Sequence, residues 1–308
     1  MENLNAIRVF TRVAETRSFT EAGKRLGISA SGISKAISRL EEELGVKLLN
    51  RTTRTVSLTA DGASLFERCR QILTEIEDAE TAVTRTRSAV RGKLRVQMPL
   101  AFGRLVIVPA LAEFIKRYPE LVVDVELSDR QVDLAEEGLD TVVHIGELRD
   151  SRMIARKLCD IRFVTCASPE YLSRHGEPET PDELAKHRCL GYILPRIGRY
   201  RDWHFSQNGT QISKTISGHL NLNSAEALLD AAIAGAGIAA TGTFVAANAI
   251  AAGKLKVILR DYIAVGPQVS VVYLPSRHLS PRVQAFVDFL THIVPLSPAW
   301  DRVLVGNE

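Results

Sequence analysis

Ser18-Phe19-Thr20-Glu21-Ala22-Gly23-Lys24-Arg25-Leu26-Gly27-Ile28-Ser29-Ala30-Ser31-Gly32-Ile33-Ser34-Lys35-Ala36-Ile37-Ser38-Arg39-Leu40 decides how this chain folds at its start. Ser18, with Glu21 three residues on, is a capping-box pair and predicts a short helix over Phe19 to Leu26. Gly27 tolerates positive φ and supplies the turn. A second helix starts between Ser29 and Ser31 and runs to Leu44, with Ile33, Ile37, Leu40 and Leu44 facing inward and Gly45 ending it. Ala22 and Gly23 are small enough to let the two helices cross closely, and Leu26 and Ile28 plug the turn. Two short helices around a tight glycine turn form a helix-turn-helix. The outer face of the second helix carries Ser29, Ser31, Ser34, Lys35, Ser38 and Arg39. Short hydroxyls with two cations can approach base edges and phosphates. The plainer alternative is a helical hairpin with a merely solvated polar face.

Upstream, Leu4, Ile7, Phe10, Val13 and Ala14 form one apolar helical stripe. Downstream, Val46 to Leu49 reads as a strand, Asn50 to Thr55 as a polar basic tip, and Val56 to Thr59 as a returning strand. That is a β-hairpin wing. Arg51 and Arg54, with Thr53 between them, suit a minor groove, whose negative potential attracts guanidinium groups. Thr20, at the start of the first short helix, is a candidate phosphate contact. Charge placement agrees. Residues 1–60 carry a net +4, residues 61–90 a net −2, and the remainder +1. A basic end is the footprint of polyanion binding.

From Ala60 a helical pattern runs to about Arg87. Leu65, Cys69, Ile72, Ile76, Ala79 and Val83 are spaced as a heptad seam, with a polar face opposite. Residues 61–90 are therefore expected to be a dimerising linker helix, about 37 Å long for 25 residues. Two reading heads on one duplex need a spacing near one helical turn, about 34 Å, or a multiple of it. A helix packed along its own domain is the alternative.

The remainder alternates strands and helices. Lys93–Met98, Leu121–Leu127 and Asp140–Ile145 read as strands. Ala101–Tyr118, broken at Pro109, and Val132–Gly138 read as helices. Strands are expected again over 162–167, 189–194, 238–241 and 269–273, and helices over 169–175, 181–187, 225–235, 244–252 and 281–293. This order predicts an α/β domain with a mainly parallel sheet. Two such units would hold a small molecule in the cleft between them.

Several stretches together resemble the LysR-type transcriptional regulators. They are Phe19-Thr20-Glu21-Ala22-Gly23, residues 33–41, Leu49-Asn50-Arg51-Thr52-Thr53-Arg54 and Leu58-Thr59-Ala60-Asp61-Gly62. They continue through Gly92-Lys93-Leu94-Arg95-Val96, Ala101-Phe102-Gly103-Arg104, residues 167–172 and Ala234-Gly235-Ala236-Gly237-Ile238. Gly23 stands where alanine is usual, and His144 where the subgroup has arginine. The resemblance implies an N-terminal all-α winged helix-turn-helix over residues 1–60 and a dimerising linker helix. It also implies a C-terminal α/β, two-lobed, periplasmic-binding-protein-like effector domain over residues 91–296. Lobe I would take residues 91–161 and 267–296, lobe II residues 162–266, and residues 297–308 would be a tail. Implied partners are double-stranded promoter DNA, a small-molecule effector, further copies of the chain as a dimer or tetramer, and RNA polymerase. The expected effector contacts are Leu100, Ala101 and Phe102, where free helix-start N–H groups favour an anion or carboxylate. Gly146, Glu147, Ser168, Asn223, Ser224 and Thr241 would face them.

Other chemistries fit less well. Gly235-Ala236-Gly237 with Gly242 follows a helix and precedes a strand, the reverse of a dinucleotide fingerprint. The seven histidines show no HExxH pattern, so no metal is expected. Asp202, His204 and Ser206 lack a nucleophile elbow, and Trp203 and Phe205 alternating with them suggest a strand with two inward aromatics. With 308 residues, 45% of them hydrophobic, the chain can bury two or three cores. It contains no apolar run long enough for a membrane span. The first five residues lack the pattern of a secretory signal, and four scattered cysteines suit a reducing compartment, so a cytoplasmic protein without cofactor or enzymatic activity is expected. The competing class is a two-lobed binding protein or enzyme without DNA function. It would leave the basic first sixty residues unexplained.

Overall fold

The computed structural model describes residues 2–51, 56–83, 90–130, 132–134, 137–148, 153–194, 198–207, 209–216, 218–275 and 279–304. The chain divides into two compact bodies. One holds residues 1–89 with the segment 132–139; the other holds residues 90–131 and 140–308.

The first body runs α1 (Glu2–Thr16), α2 (Phe19–Leu26), α3 (Ala30–Leu44), β1 (Leu49–Arg51), β2 (Val56–Leu58) and α4 (Ala60–Val83). Local chemistry sets each boundary. Ser18 is extended, and its Oγ accepts the Glu21 N–H at 3.2 Å. The Glu21 carboxylate turns to Arg25 Nε at 3.3 Å instead of closing the other half of the capping box. Gly27 and Gly45 take φ of +69° and +70° and end α2 and α3. At Gly23 a Cβ would sit 2.4 Å from the Ile28 carbonyl oxygen, so glycine, rather than the alanine usual there, permits the crossing with the following turn.

Phe10, Val13, Ala22, Ile33 and Ile37 are fully buried around this crossing, joined by Val9, Leu40, Leu48, Leu49 and Cys69. Each large side chain contributes roughly 1.5–3 kcal/mol. Leu44 does not join them. It is exposed, because the helix ends at this residue and the core has already closed at Leu40. The wing strand begins at Leu49 rather than Val46, since the Leu48 and Leu49 amides are taken by the Glu41 side chain. β1 pairs antiparallel with β2 from Leu49↔Leu58 to Arg51↔Val56, which places Asn50 and Arg51 in the strand rather than the tip. Thr53 and Arg54 of the expected tip lie outside the described residues, as does the Arg51 side chain.

Along α4 the seam divides. Leu65 and Cys69 pack into the core of this body, whereas Ile72 is exposed and Ile76 half-buried. The Ala79 and Val83 side chains lie outside the described residues. Where a helix was expected over 132–138, the described residues Leu134, Glu137 and Gly138 lie in turns, and Val132 and Asp133 are in no regular element. Glu137 N–H reaches Asp133 O, and Gly138 takes φ of +60°.

The second body is built on one sheet path. Its first half carries β3 (Gly92–Met98), a helical turn α5 (Leu100–Phe102), a π-turn (Gly103–Ile107), α6 (Val108–Arg117), β4 (Leu121–Leu127) and β5 (Thr141–Ile145). Pro109 has no N–H to donate, and the π register falls just before it. Then come β6 (Ile154–Ala167), α7 (Pro169–His175), a 3₁₀ turn (Pro181–Lys186), β7 (Cys189–Tyr192), β8 (Asp202–Gln207), β9 (Thr210–Thr215) and β10 (Leu220–Leu222). The chain finishes with α8 (Ala225–Ile233), β11 (Ile238–Gly242), α9 (Thr243–Ala251), β12 (Lys256–Ile258), β13 (Val265–Tyr273), α10 (Pro281–Ile293) and a 3₁₀ segment (Ala299–Leu304).

Strand order is β10-β7-β11-β6-β13-β5-β3-β4, with β12 also on β6. β3 is parallel to β4 and β5, and β7 is parallel to β10 and β11. β6 and β13 run antiparallel to all their neighbours. The sheet is thus mixed rather than mainly parallel. The reason is topological: these two long strands cross between lobes in opposite directions, and residues 161 and 162 fall inside one of them. Leu94, Val96, Met98, Phe102, Ile107, Phe114, Leu158, Val269, Val271, Phe286 and Leu290 fill the lobe I core.

Trp203 and Phe205 point inward as their alternation predicts, and β8 pairs antiparallel with β9 from Asp202↔Thr215 to Gln207↔Thr210. Residues 298–304 are packed rather than a loose tail. Thr243 Oγ1 donates to Asp301 at 2.5 Å, and Trp300 stands edge-on to Phe102 with ring centroids 6.2 Å apart. Among the described residues no helix is long and apolar enough to cross a membrane.

Candidate DNA interface and ligand cavity

In the first body, the buried spine Ile33, Ile37 and Leu40 turns the opposite face of α3 outward. Ser29, Ser31, Lys35 and Arg39 are exposed there, and Ser34 is half-buried. Ser29 Oγ caps the helix by accepting Gly32 N–H at 3.2 Å and lies 3.1 Å from Ser31 Oγ. Its hydroxyl is therefore committed to the fold first. Arg39 Nε donates to Glu43 at 3.0 Å on the surface, a contact weak enough for a phosphate to replace. Thr20 is exposed in the first turn of α2, where helix-terminal N–H groups favour an anion.

Sequence reasoning missed Glu41, which reads as part of a solvated acidic run, Glu41-Glu42-Glu43. Its carboxylate is buried, accepts Leu48 and Leu49 N–H at 3.0 and 3.2 Å, and meets Lys47 Nζ at 3.0 Å.

In the second body a cavity of about 300 Å³ opens between the lobes. Of the expected contacts, Leu100, Ala101, Phe102, Ser224 and Thr241 line it. Gly146, Glu147, Ser168 and Asn223 do not. Gly146 N–H is tied to Gln268 O at 2.9 Å, and Glu147 O faces His144 Nε2 at 3.2 Å. Ser168 is buried as the N-cap of α7, and Asn223 stays exposed outside the lining. Ser224 Oγ caps α8 by accepting Ala227 N–H at 3.3 Å.

The expected anion seat at the first helix start is already taken, because Leu100 N–H donates to Asp129 Oδ1 at 3.0 Å. The charged and aromatic groups that do face the cavity come from elsewhere: Asp129, Phe163, Tyr192, Arg201, His204, Glu226 and Phe244. Arg201 lies over the Tyr192 ring at 3.9 Å and near that of Phe163 at 5.6 Å. Burial holds the Arg201 guanidinium below its usual range, with Tyr192 and Asp129 opposing. Burial also pushes the Tyr192 phenol up. The Thr241 hydroxyl is buried with no hydrogen-bond partner among the described residues. Arg104 of the π-turn donates through Nε to Glu226 of α8 at 2.7 Å, joining lobe I to lobe II beside the cavity. That hydrogen bond raises the Arg104 guanidinium further. The four cysteines are free and buried. Burial lifts Cys159 and Cys166 to about 12 and Cys189 to about 11, so these thiols stay protonated.

A winged helix-turn-helix followed by a linker helix and a two-lobed ligand-binding domain defines a DNA-binding transcriptional regulator. Residues 4–63 match the bacterial regulatory helix-turn-helix protein, lysR family, and residues 87–294 match the LysR substrate binding domain. The chain belongs to the LysR family of transcriptional regulators. It is 35% identical to an HTH-type transcriptional repressor of Pseudomonas aeruginosa, over 97% of this chain and 94% of that protein. It is 37% identical to the HTH-type transcriptional regulator CrgA of Neisseria meningitidis serogroup C, over 94% and 96% respectively. A solved structure of CrgA from Neisseria meningitidis superposes with a TM-score of 0.61 at 36% identity, covering 94% of this chain and 98% of that one.

Proposed function

We propose that α3 enters the major groove of promoter DNA, with Ser31, Ser34, Lys35 and Arg39 toward bases and phosphates and Thr20 on a phosphate. Arg51, Thr53 and Arg54 of the wing take the adjacent minor groove. The observation that carries this reading is the exposed hydroxyl-and-cation face of α3, set on a fully buried apolar spine. Ser29 supports it as the cap of the same helix. Lys35→Ala should weaken binding by about tenfold to a duplex enriched by the wild-type chain from a random library. Unchanged binding in electrophoretic shift assays would refute the assignment.

The chain works as a dimer or tetramer in the cytoplasm. α4 supplies one contact from Ile72 and Ile76 onward through Ala79 and Val83, while Leu65 and Cys69 serve their own core. Edge strand β4 and the neighbouring α6 supply another, since Val122 and Ile115 stand exposed there. At the promoter RNA polymerase is the natural further partner.

The effector is a compact, mostly apolar molecule with one anionic head. Phe102, Phe163 and Phe244 offer the apolar walls, Arg201 the cation, and Thr241 an unused hydroxyl. A cavity near 300 Å³ lies at the small end of ligand sites. Binding shifts the lobes, changes the assembly and alters how far the DNA bends. Thermal shift with a panel of single-ring carboxylates and their uncharged amides tests the head group. Carboxylates should stabilise wild type and not Arg201→Leu; equal shifts with the amides would refute the anion. No catalytic role is proposed: an enzyme or transport reading accounts for the second body and leaves the first without a purpose.

A further inference from the structure

We propose that Glu41 is a positioning residue for DNA reading, a buried clamp that fixes the wing at a set angle to the recognition helix. The inference rests on the DNA reading above. Successive residues of a helix are rotated by about 100°, so Glu41 points away from the side occupied by Arg39. α3 therefore presents its reading groups on one face and carries the wing's anchor on the other. The anchor is specific. One oxygen, Oε1, accepts both the Leu48 and Leu49 amides, and Oε2 meets Lys47.

The pairing of the wing's own strands is too short to orient it alone. β1 and β2 are three residues each, and an isolated two-stranded hairpin is marginal in water. The same short segment is gripped from the other side. Thr59 Oγ1 donates to Lys47 O at 2.6 Å, and Thr59 N–H donates to Leu48 O at 3.0 Å. Thr59 Oγ1 in turn accepts Gly62 N–H of α4 at 2.9 Å. A Cβ on Gly62 would lie 1.9 Å from Leu48 O, so α4 also seats directly on this segment. Residues 47–49 are thus the junction at which recognition helix, wing and linker helix are set against one another. An apolar side chain at position 41 could fill the volume. It could not satisfy two buried amides, which is why a carboxylate is retained there despite the cost of burying it.

The test uses the full-length chain and a duplex enriched by wild type from a random library. Affinity is measured across salt concentrations, with hydroxyl-radical and guanine-N7 footprints. Glu41→Ala should lower the salt slope by about one to two units, the share of the wing's phosphate and groove contacts. Minor-groove protection should fade while guanine-N7 protection persists. Glu41→Gln keeps an oxygen for both amides and should restore slope and footprint. If Glu41→Ala fails to fold, Glu41→Asp, whose carboxylate is drawn back by one methylene, should show the same selective loss. A wild-type slope and footprint in the alanine or aspartate variant would overturn the proposal, as would failure of Gln to rescue. If the wild-type chain retained no duplex at all, the DNA reading would fall and this inference with it.

Discussion

In the helix-turn-helix body, Ser18 and Ser29 each cap an amide three residues away, and Glu41 satisfies amides seven and eight residues away. In the cavity, Asp129 of one lobe faces Tyr192 and Arg201 of the other, and Thr241 has no hydrogen-bond partner among the described residues. The first arrangement fixes a shape before any ligand arrives. The second holds polar groups whose satisfaction is incomplete, the state expected of a site that a ligand completes. At these positions, then, reader and sensor differ in whether every polar group named has a partner among the described residues.

The contrast should show most strongly at Gly23. Gly23→Ala puts a methyl 2.4 Å from the Ile28 carbonyl and should destabilise the reader by about 1–3 kcal/mol, with loss of duplex binding. Chemical denaturation followed by duplex binding checks it. A fully stable, DNA-binding alanine variant would show that the close crossing is not required.

Thr241→Val should act with the opposite sign in the sensor. Removing a buried hydroxyl that has no partner among the described residues should leave the ligand-free protein equally stable or more stable, by up to about 1 kcal/mol, while weakening effector binding. Substituting Ser18 by Ala, where the hydroxyl is in use, should cost about 1 kcal/mol instead. Melting curves of the two variants side by side decide the matter; destabilisation by Thr241→Val would mean that its hydroxyl is already paired.

What could be read from the sequence follows the same division. The caps at Ser18 and Ser29, the turn at Gly27 and the stop at Gly45 obey local rules and sit where those rules put them. Ser168-Pro169 likewise starts α7. The cavity's Arg201 and Asp129 carry no local signal, because only the crossing of β6 and β13 brings the lobes that bear them together. The antiparallel course of those strands was hidden for the same reason. Two misses had signals in plain view. Asn208-Gly209 is a hairpin turn sequence that announces β9. Glu41 sits on the helical stripe of Ile33, Ile37 and Leu40, at the inner edge of α3 rather than on its wet face.

The smallest expected effect is at the cysteines, which lie in both bodies. With burial pushing Cys159, Cys166 and Cys189 to about 11–12, and Cys69 also raised, thiol reagents at pH 8 should leave the folded chain unlabelled and its duplex affinity unchanged. Rapid labelling without unfolding would mean that at least one of these sites opens to solvent.

The most direct test of the central claim is the salt dependence of duplex affinity for the full-length chain and for Lys35→Ala combined with Arg39→Ala. Each phosphate contact contributes about 0.9 to the slope of log affinity against log salt. The wild-type chain should give a steep negative slope, and the double variant a slope shallower by one to two units with weaker binding throughout. Identical slopes and affinities for the two proteins would contradict the assignment of the outward face of α3 to DNA.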